Sequence, residues 1–274
     1  MKKLIVALMI LGFSVTSALC AEYNTADRVP VVGKILLEKN GLPSDTTFQV
    51  IESVADNSHA TESNIIYVSN MDLSYAGNDN EVAAVIANEI GHIINGRTAR
   101  NKFRAMAKNA ITSKLSSENI ISTAANSDYL ENKTSLNDNK SADITGVDLM
   151  IQAGYNPLAM VVLITKKPGS TFEILQGKPA NTERAMNVFD YLTYNYPSKV
   201  SAGYGCQEYR TFLTYSNPIV QERNANAKKL AKFNKEQAKN KAERAKNIAK
   251  FKATGASGWD TSYALLQAFT TTAE

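Results

Sequence analysis

Glu81-Val82-Ala83-Ala84-Val85-Ile86-Ala87-Asn88-Glu89-Ile90-Gly91-His92 is the stretch that decides how this chain folds. Val82, Val85 and Ile86, continued by Ile93 and Ile94, recur at helical spacing and supply a buried face. Asn78 stands just ahead, with Glu81 three residues on, the pattern of a capping box. The end of the stretch is one residue away from His-Glu-x-x-His. That pattern puts two imidazoles four residues apart, so both reach one metal from one helical face. Here Glu89 and the second histidine, His92, are present, and Asn88 stands where the first histidine belongs.

Working outward, Arg28–Lys39 reads as a helix with Val29, Val32, Ile35 and Leu36 on one side, stopped by Asn40-Gly41-Leu42-Pro43. Thr47–Val54 and Ile65–Val68 read as strands joined in a hairpin across the polar stretch Asp56–Asn64. Downstream, the stretch 98–138 reads as helices with mobile joins. Ser141–Ala153, Leu158–Thr165 and Glu183–Tyr194 read as further helices. Gln221–Phe251 reads as one long helix. Its narrow apolar stripe would be Leu230, Phe233, Ala238, Ala242, Ala245, Ile248 and Ala249. After it, Trp259, Tyr263, Leu265, Leu266 and Phe269 make a small apolar ending.

At 274 residues, 44% hydrophobic and 20% charged, the chain can bury a sizeable core, which excludes an extended, disordered class. Its net charge of +4 is unevenly spread. Arg223–Lys252 holds eleven Lys/Arg against Glu236 and Glu243, a local +9 that leaves −5 for the remainder. Lys2, Lys3 and the apolar Leu4–Val15 read as an export signal ending near Ala21, with lipidation of Cys20 as the rival. Removal of that leader leaves Cys206 as the one cysteine, read as a small buried apolar residue.

Around Asn88–His92 the chain resembles the zinc metallopeptidases of family forty-eight, the group of CAAX prenyl protease, HtpX-like and BepA-like peptidases. Asn57-Ser58-His59-Ala60 resembles the family's strand edge, Ile66-Tyr67-Val68 follows it, and Glu81–Ala87 resembles the start of its active-site helix. Ala142-Asp143-Ile144-Thr145-Gly146 and Ala153-Gly154-Tyr155-Asn156-Pro157 resemble the second metal helix and its exit turn. Pro179 and Arg184 resemble a later segment of the cleft. The resemblance spans about 28–200. It implies an α+β, mainly helical zincin-like fold, with a small sheet against the active-site helix and a long basic C-terminal helix added. The domain reading is a signal peptide over 1–21, a metallopeptidase-like domain over 22–215 and a basic helical tail over 216–274.

The resemblance also implies roles. Glu89 falls at the general-base position, His92 at a metal ligand, and Asp143 at the acid behind the ligands. Asn88 and Asn139 stand at the other two ligand positions, and Lys178 stands where a histidine near the reacting carbonyl is expected. His59, Lys178 and Arg184 are further cleft residues, and His59 is the only other histidine. Zinc is the cofactor the family implies, and the two amides argue against its binding here. Structural zinc sites bind with about 10–16 kcal/mol from four ligands, or about 3 kcal/mol each as a crude share. Two lost ligands then remove about 6 kcal/mol, roughly four decades of affinity. The expectation is an exported, envelope or periplasmic pseudopeptidase that holds extended or unfolded polypeptide as a chaperone or adaptor. The alternatives are an active zinc metalloendopeptidase with a non-standard ligand set, and a protein acting through its basic tail on a membrane surface via 221–252. Nucleic acid is not an expected partner of an exported chain.

Overall fold

A computed structural model describes residues 23–52, 59–60, 65–95, 120–169 and 181–253. The expected leader at 1–21, Lys178 and Pro179, the stretch 98–119 and the apolar ending from Trp259 lie outside those residues. The architecture is mainly helical, with one small sheet, as the α+β reading expects.

Helix α1 (Thr25–Asn40) starts where the Asn24 side chain accepts from the Ala26 amide, and ends at Gly41, whose φ of 60° suits glycine. It buries Val29, Val32, Leu36 and Leu37, so Leu37 takes the place expected for Ile35. Gly33 on the same helix lies under the ring of Phe48; a Cβ there would come within 2.4 Å of it. That close approach seats strand β1 (Thr47–Ile51) on α1. Strand β2 (His59–Ala60) and strand β3 (Ile65–Ser69) complete a sheet of order β1-β3-β2.

The hairpin reading is wrong. β1 and β3 pair in parallel, Thr47 against Ile65 through Ile51 against Ser69. The antiparallel neighbour of β3 is β2, with His59 against Tyr67. Alternation reports which face of a strand is buried, not which strand lies beside it. The chain between β1 and β3 is long enough for the crossover that a parallel pair needs.

After a short helix α2 (Asn70–Leu73), helix α3 (Asp79–Ile94) runs through the middle of the core. Thirteen of its sixteen residues are buried, which makes it a core helix and not a surface amphipath. Its Asn78 cap accepts from the Asn80 and Glu81 amides, as the sequence predicts. Helix α4 (Ile120–Ala153) packs along α3, and its apolar continuation α5 (Leu158–Lys166) buries Leu158–Ile164 without a break. Helices α6 (Thr182–Asn195) and α7 (Pro197–Ala202) close that side. Helix α8 (Gln207–Ala225) follows, running across 215/216, where the sequence reading placed a domain boundary.

The expected single helix over Gln221–Phe251 is two. Asn226 is extended, with φ −112° and ψ 107°, and its side chain accepts from the Lys229 amide, so it caps a new helix α9 (Ala227–Ala253). The expected stripe also fails beyond its first turns. Leu230, Phe233, Gln237, Asn240 and Arg244 are covered, while Ala238, Ala242, Ala245 and Ala249 are exposed. Aromatic and cation–π contacts decide the docking. Phe233 meets Tyr194 edge-on at 6.1 Å, Arg223 lies 3.7 Å over the Phe233 ring, and Arg244 lies 4.0 Å over Tyr191. Methyl groups could not supply those contacts. Among the described residues no helix is long and apolar enough to cross a membrane.

Candidate functional site

The site is built where α3 crosses α4. Gly91 lies on Ala142, where a Cβ would come within 2.4 Å of the carbonyl oxygen. Gly146 lies on Ala87, where a Cβ would come within 2.9 Å. Each helix thus offers one glycine to the other's alanine, and the two backbones touch. With Ala87 opposite Gly146 and Gly91 opposite Ala142, the helices pass in opposite directions. Side chains next to those pairs are therefore forced together.

Asn88 and Asp143 are the first such pair. The Asn88 amide Nδ2 donates to Asp143 Oδ1 at 2.7 Å. Arg184, from α6, grips the same carboxylate with two donors, Nε to Oδ2 at 2.9 Å and Nη2 to Oδ1 at 2.7 Å. Asp143 is fully buried, and Arg184 keeps 16% of its side chain in solvent. Burial works against the Arg184 charge, but the neighbouring Asp143 carboxylate, with Asp72 and Glu89 further out, outweighs it and raises the guanidinium pKa. One turn on, His92 on α3 and Asn139 on α4 fall level with each other. Glu89 and His92 are both buried, and Asn139 is half-buried.

The structure therefore brings Asn88, Asp143 and Arg184 into one bonded group, with Glu89 in electrostatic range of Arg184. His59 sits on β2 at the edge of the sheet, and β2 lies against α3. Lys178 lies outside the described residues. Beside the crossing, a polar cleft is lined by Asn95, Lys140, Ile144 and Asn187 from the body and by Asn240, Glu243 and Arg244 from α9. Sequence reasoning missed that the basic helix forms a wall next to the site. The signal was present in Gln237, Asn240 and Arg244, polar residues at the spacing of a docked face, but apolar patterning passes over them.

Cys206 also departs from its expected role. It is half-buried at the start of α8, where its sulfur accepts from the Tyr209 amide. Burial pushes its thiol pKa up, which is the wrong direction for a nucleophile.

A catalytic zinc needs three protein ligands and an open position. Among the described residues no three His, Cys, Asp or Glu side chains are grouped to hold a metal ion. Asn88 offers a neutral amide, and its nitrogen is committed to Asp143. The residues present do not make a zinc ligand set of the usual kind.

No curated protein matches the chain. The sequence model of Peptidase family M48, whose members are generally zinc-dependent, matches residues 24–231, from the cap of α1 into the first turns of α9. With three quarters of its length inside that match, the chain belongs to peptidase family M48.

Proposed function

We propose that this protein is an exported pseudopeptidase that holds extended polypeptide in the family's cleft without hydrolysing it. The observation that carries the reading is the 2.7 Å bond from Asn88 to Asp143. It turns a ligand position into part of a closed hydrogen-bonded group with Arg184. Zinc lowers the pKa of its bound water to about 7 and so makes the nucleophile. Without a metal, Glu89 has no acidified water to deprotonate. The parts that would hold a strand are kept: β2 is an edge of the sheet and lies against α3, so a peptide could add there through its backbone.

The test is metal content. The purified chain is loaded with zinc, dialysed and assayed by elemental analysis beside the double variant Asn88→His/Asn139→Glu. The expected result is far less than one zinc per parent chain and close to one per double variant. Parent and variant should both bind fluorescent unfolded casein. One tightly held zinc per parent chain would overturn the reading.

The rival reading is an active endopeptidase with an unusual ligand set, favoured by the burial of Glu89 and His92 side by side on α3. It requires chelator-sensitive casein cleavage that disappears in Glu89→Gln.

A further inference from the structure

Docking turns the nearby arginines inward and leaves one row of lysines on the outer face of α9, with Lys229 and Lys241 to either side of it. Arg244, and Arg223 on the preceding helix, turn inward onto Tyr191 and Phe233. Glu243 lines the cleft, and Glu236 acts electrostatically on Asp190 of α6. Lys228, Lys232, Lys235, Lys239 and Lys246 are exposed. At 100° per residue these five fall within about 60° of arc, opposite the docked residues, and at 1.5 Å per residue the row is about 27 Å long. Among the described residues none of the five is in an ion pair; the ion pair that α9 does make uses Lys229, with Glu222. Like charges three and four residues apart repel along a helix. Glu236 and Glu243, three or four residues from Lys232, Lys239 and Lys246, offset only part of that repulsion, so the row keeps a net positive charge. The exposed alanines beside it, Ala238, Ala242 and Ala245, leave no bulk that would hold a flat surface away.

We propose that this lysine row docks the protein on an anionic bilayer, by charge and without insertion. Lysine is a flexible point charge suited to a diffuse layer of headgroups, whereas bidentate phosphate recognition favours arginine, and the arginines here face inward. The outward face carries no aromatic side chain on which bases could stack, which disfavours nucleic acid. A bilayer under the row would lie about one helix diameter, ~10 Å, from the cleft that α9 walls. This inference is independent of whether the cleft hydrolyses, holds or ignores polypeptide.

The test is co-sedimentation of the full chain with vesicles of phosphatidylglycerol and phosphatidylcholine, and with phosphatidylcholine alone. Each lysine near an anionic surface contributes about five-fold in affinity. The variant Lys228→Gln/Lys232→Gln/Lys235→Gln/Lys239→Gln is therefore expected to bind roughly 10²–10³-fold more weakly. Lys34→Gln/Lys39→Gln/Lys199→Gln/Arg210→Gln has the same net charge and is expected to bind within a few-fold of the parent. Circular dichroism of both variants checks that helix content is kept. Parent binding should fall steeply with added salt. The proposal fails if the row variant binds like the parent or if both variants weaken equally. It also fails if plain phosphatidylcholine binds as well, or if a 30-nucleotide DNA binds more tightly than the vesicles at the same salt.

Discussion

Glu81 and Asp143, two of the buried carboxylates around α3, are held in different ways. Glu81, 2% exposed, accepts from the Gly77 amide at 2.7 Å and from Asn78 Nδ2 at 3.2 Å, then from Lys166 Nζ at 2.7 Å and the Tyr204 hydroxyl at 3.1 Å. Half of its partners lie within four residues, so Glu81 belongs to the start of a helix and would be useful to almost any chain that began one there. Asp143, 0% exposed, has its described partners 55 and 41 residues away, in Asn88 and Arg184. Nothing local calls for a carboxylate in the middle of α4. The first group secures the start of a helix and ties it to Lys166 and Tyr204; the second has no local partner among the described residues and joins α3, α4 and α6. A buried carboxylate with no local partner is thus held by the tertiary structure alone.

That contrast can be broken by mutation. Asp143→Ala leaves Arg184 charged and mostly covered without its partner, and is expected to cost about 3 kcal/mol in urea unfolding. Glu81→Gln keeps the shape and an acceptor but loses the charge. Lys166 is more exposed than Arg184, with 21% against 16% of its side chain in solvent, and can rehydrate more readily. Its expected cost is about 1.5–2 kcal/mol. A larger loss for Glu81→Gln than for Asp143→Ala would reverse the comparison. Asn88→Ala removes one hydrogen bond to a charged group, and about 1.5 kcal/mol is expected to go with it. In a cycle with Asp143→Ala most of that loss should disappear, because the partner is already gone. Additive losses would show that Asn88 matters through other contacts.

The same distinction sets what could be read from the chain. The helix α3 was legible from its cap and apolar spacing, because both are local. The α3–α4 crossing was legible only through resemblance, since Gly91 and Gly146 gain meaning when each meets the other helix's alanine. The direction in which β1 pairs with β3 was not legible, because period-two alternation is blind to the neighbour. The break at Asn226 was marked by a residue that caps helices, but a lysine- and alanine-rich run reads as continuous. The docked face of α9 was misread for a physical reason: aromatic and cation–π contacts through Phe233 and Arg244 hold it, and alanines on the same helix stay in water. For the site, the positions of Asn88, Asp143 and Arg184 were legible one by one. The bonds that join them required three elements to be in place.

The smallest effects separate two further carboxylates by pH. The Arg28 guanidinium, bonded at 2.9 and 2.8 Å, holds Asp79 below the usual carboxylate range, against a lesser opposing effect of burial. Asp79 therefore adds stability above its unfolded value of about 3.9, and that stability is lost as pH falls through the lower folded value. Both partners are more than a third exposed, so solvent screening limits the loss in Asp79→Asn to about 0.5 kcal/mol at neutral pH. Asp148 lies the other way. Burial raises it, only partly opposed by the Tyr191 and Tyr196 hydroxyls and by Arg244. Its folded form keeps a proton that the unfolded chain gives up above about pH 3.9, so Asp148 lowers stability as pH rises through that window. Urea midpoints measured from pH 3 to 7 should show Asp79→Asn losing part of the acid-side rise in stability. Asp148→Asn should lose part of the decline above it. Parallel curves for the two variants would mean that neither carboxylate is shifted as its surroundings require.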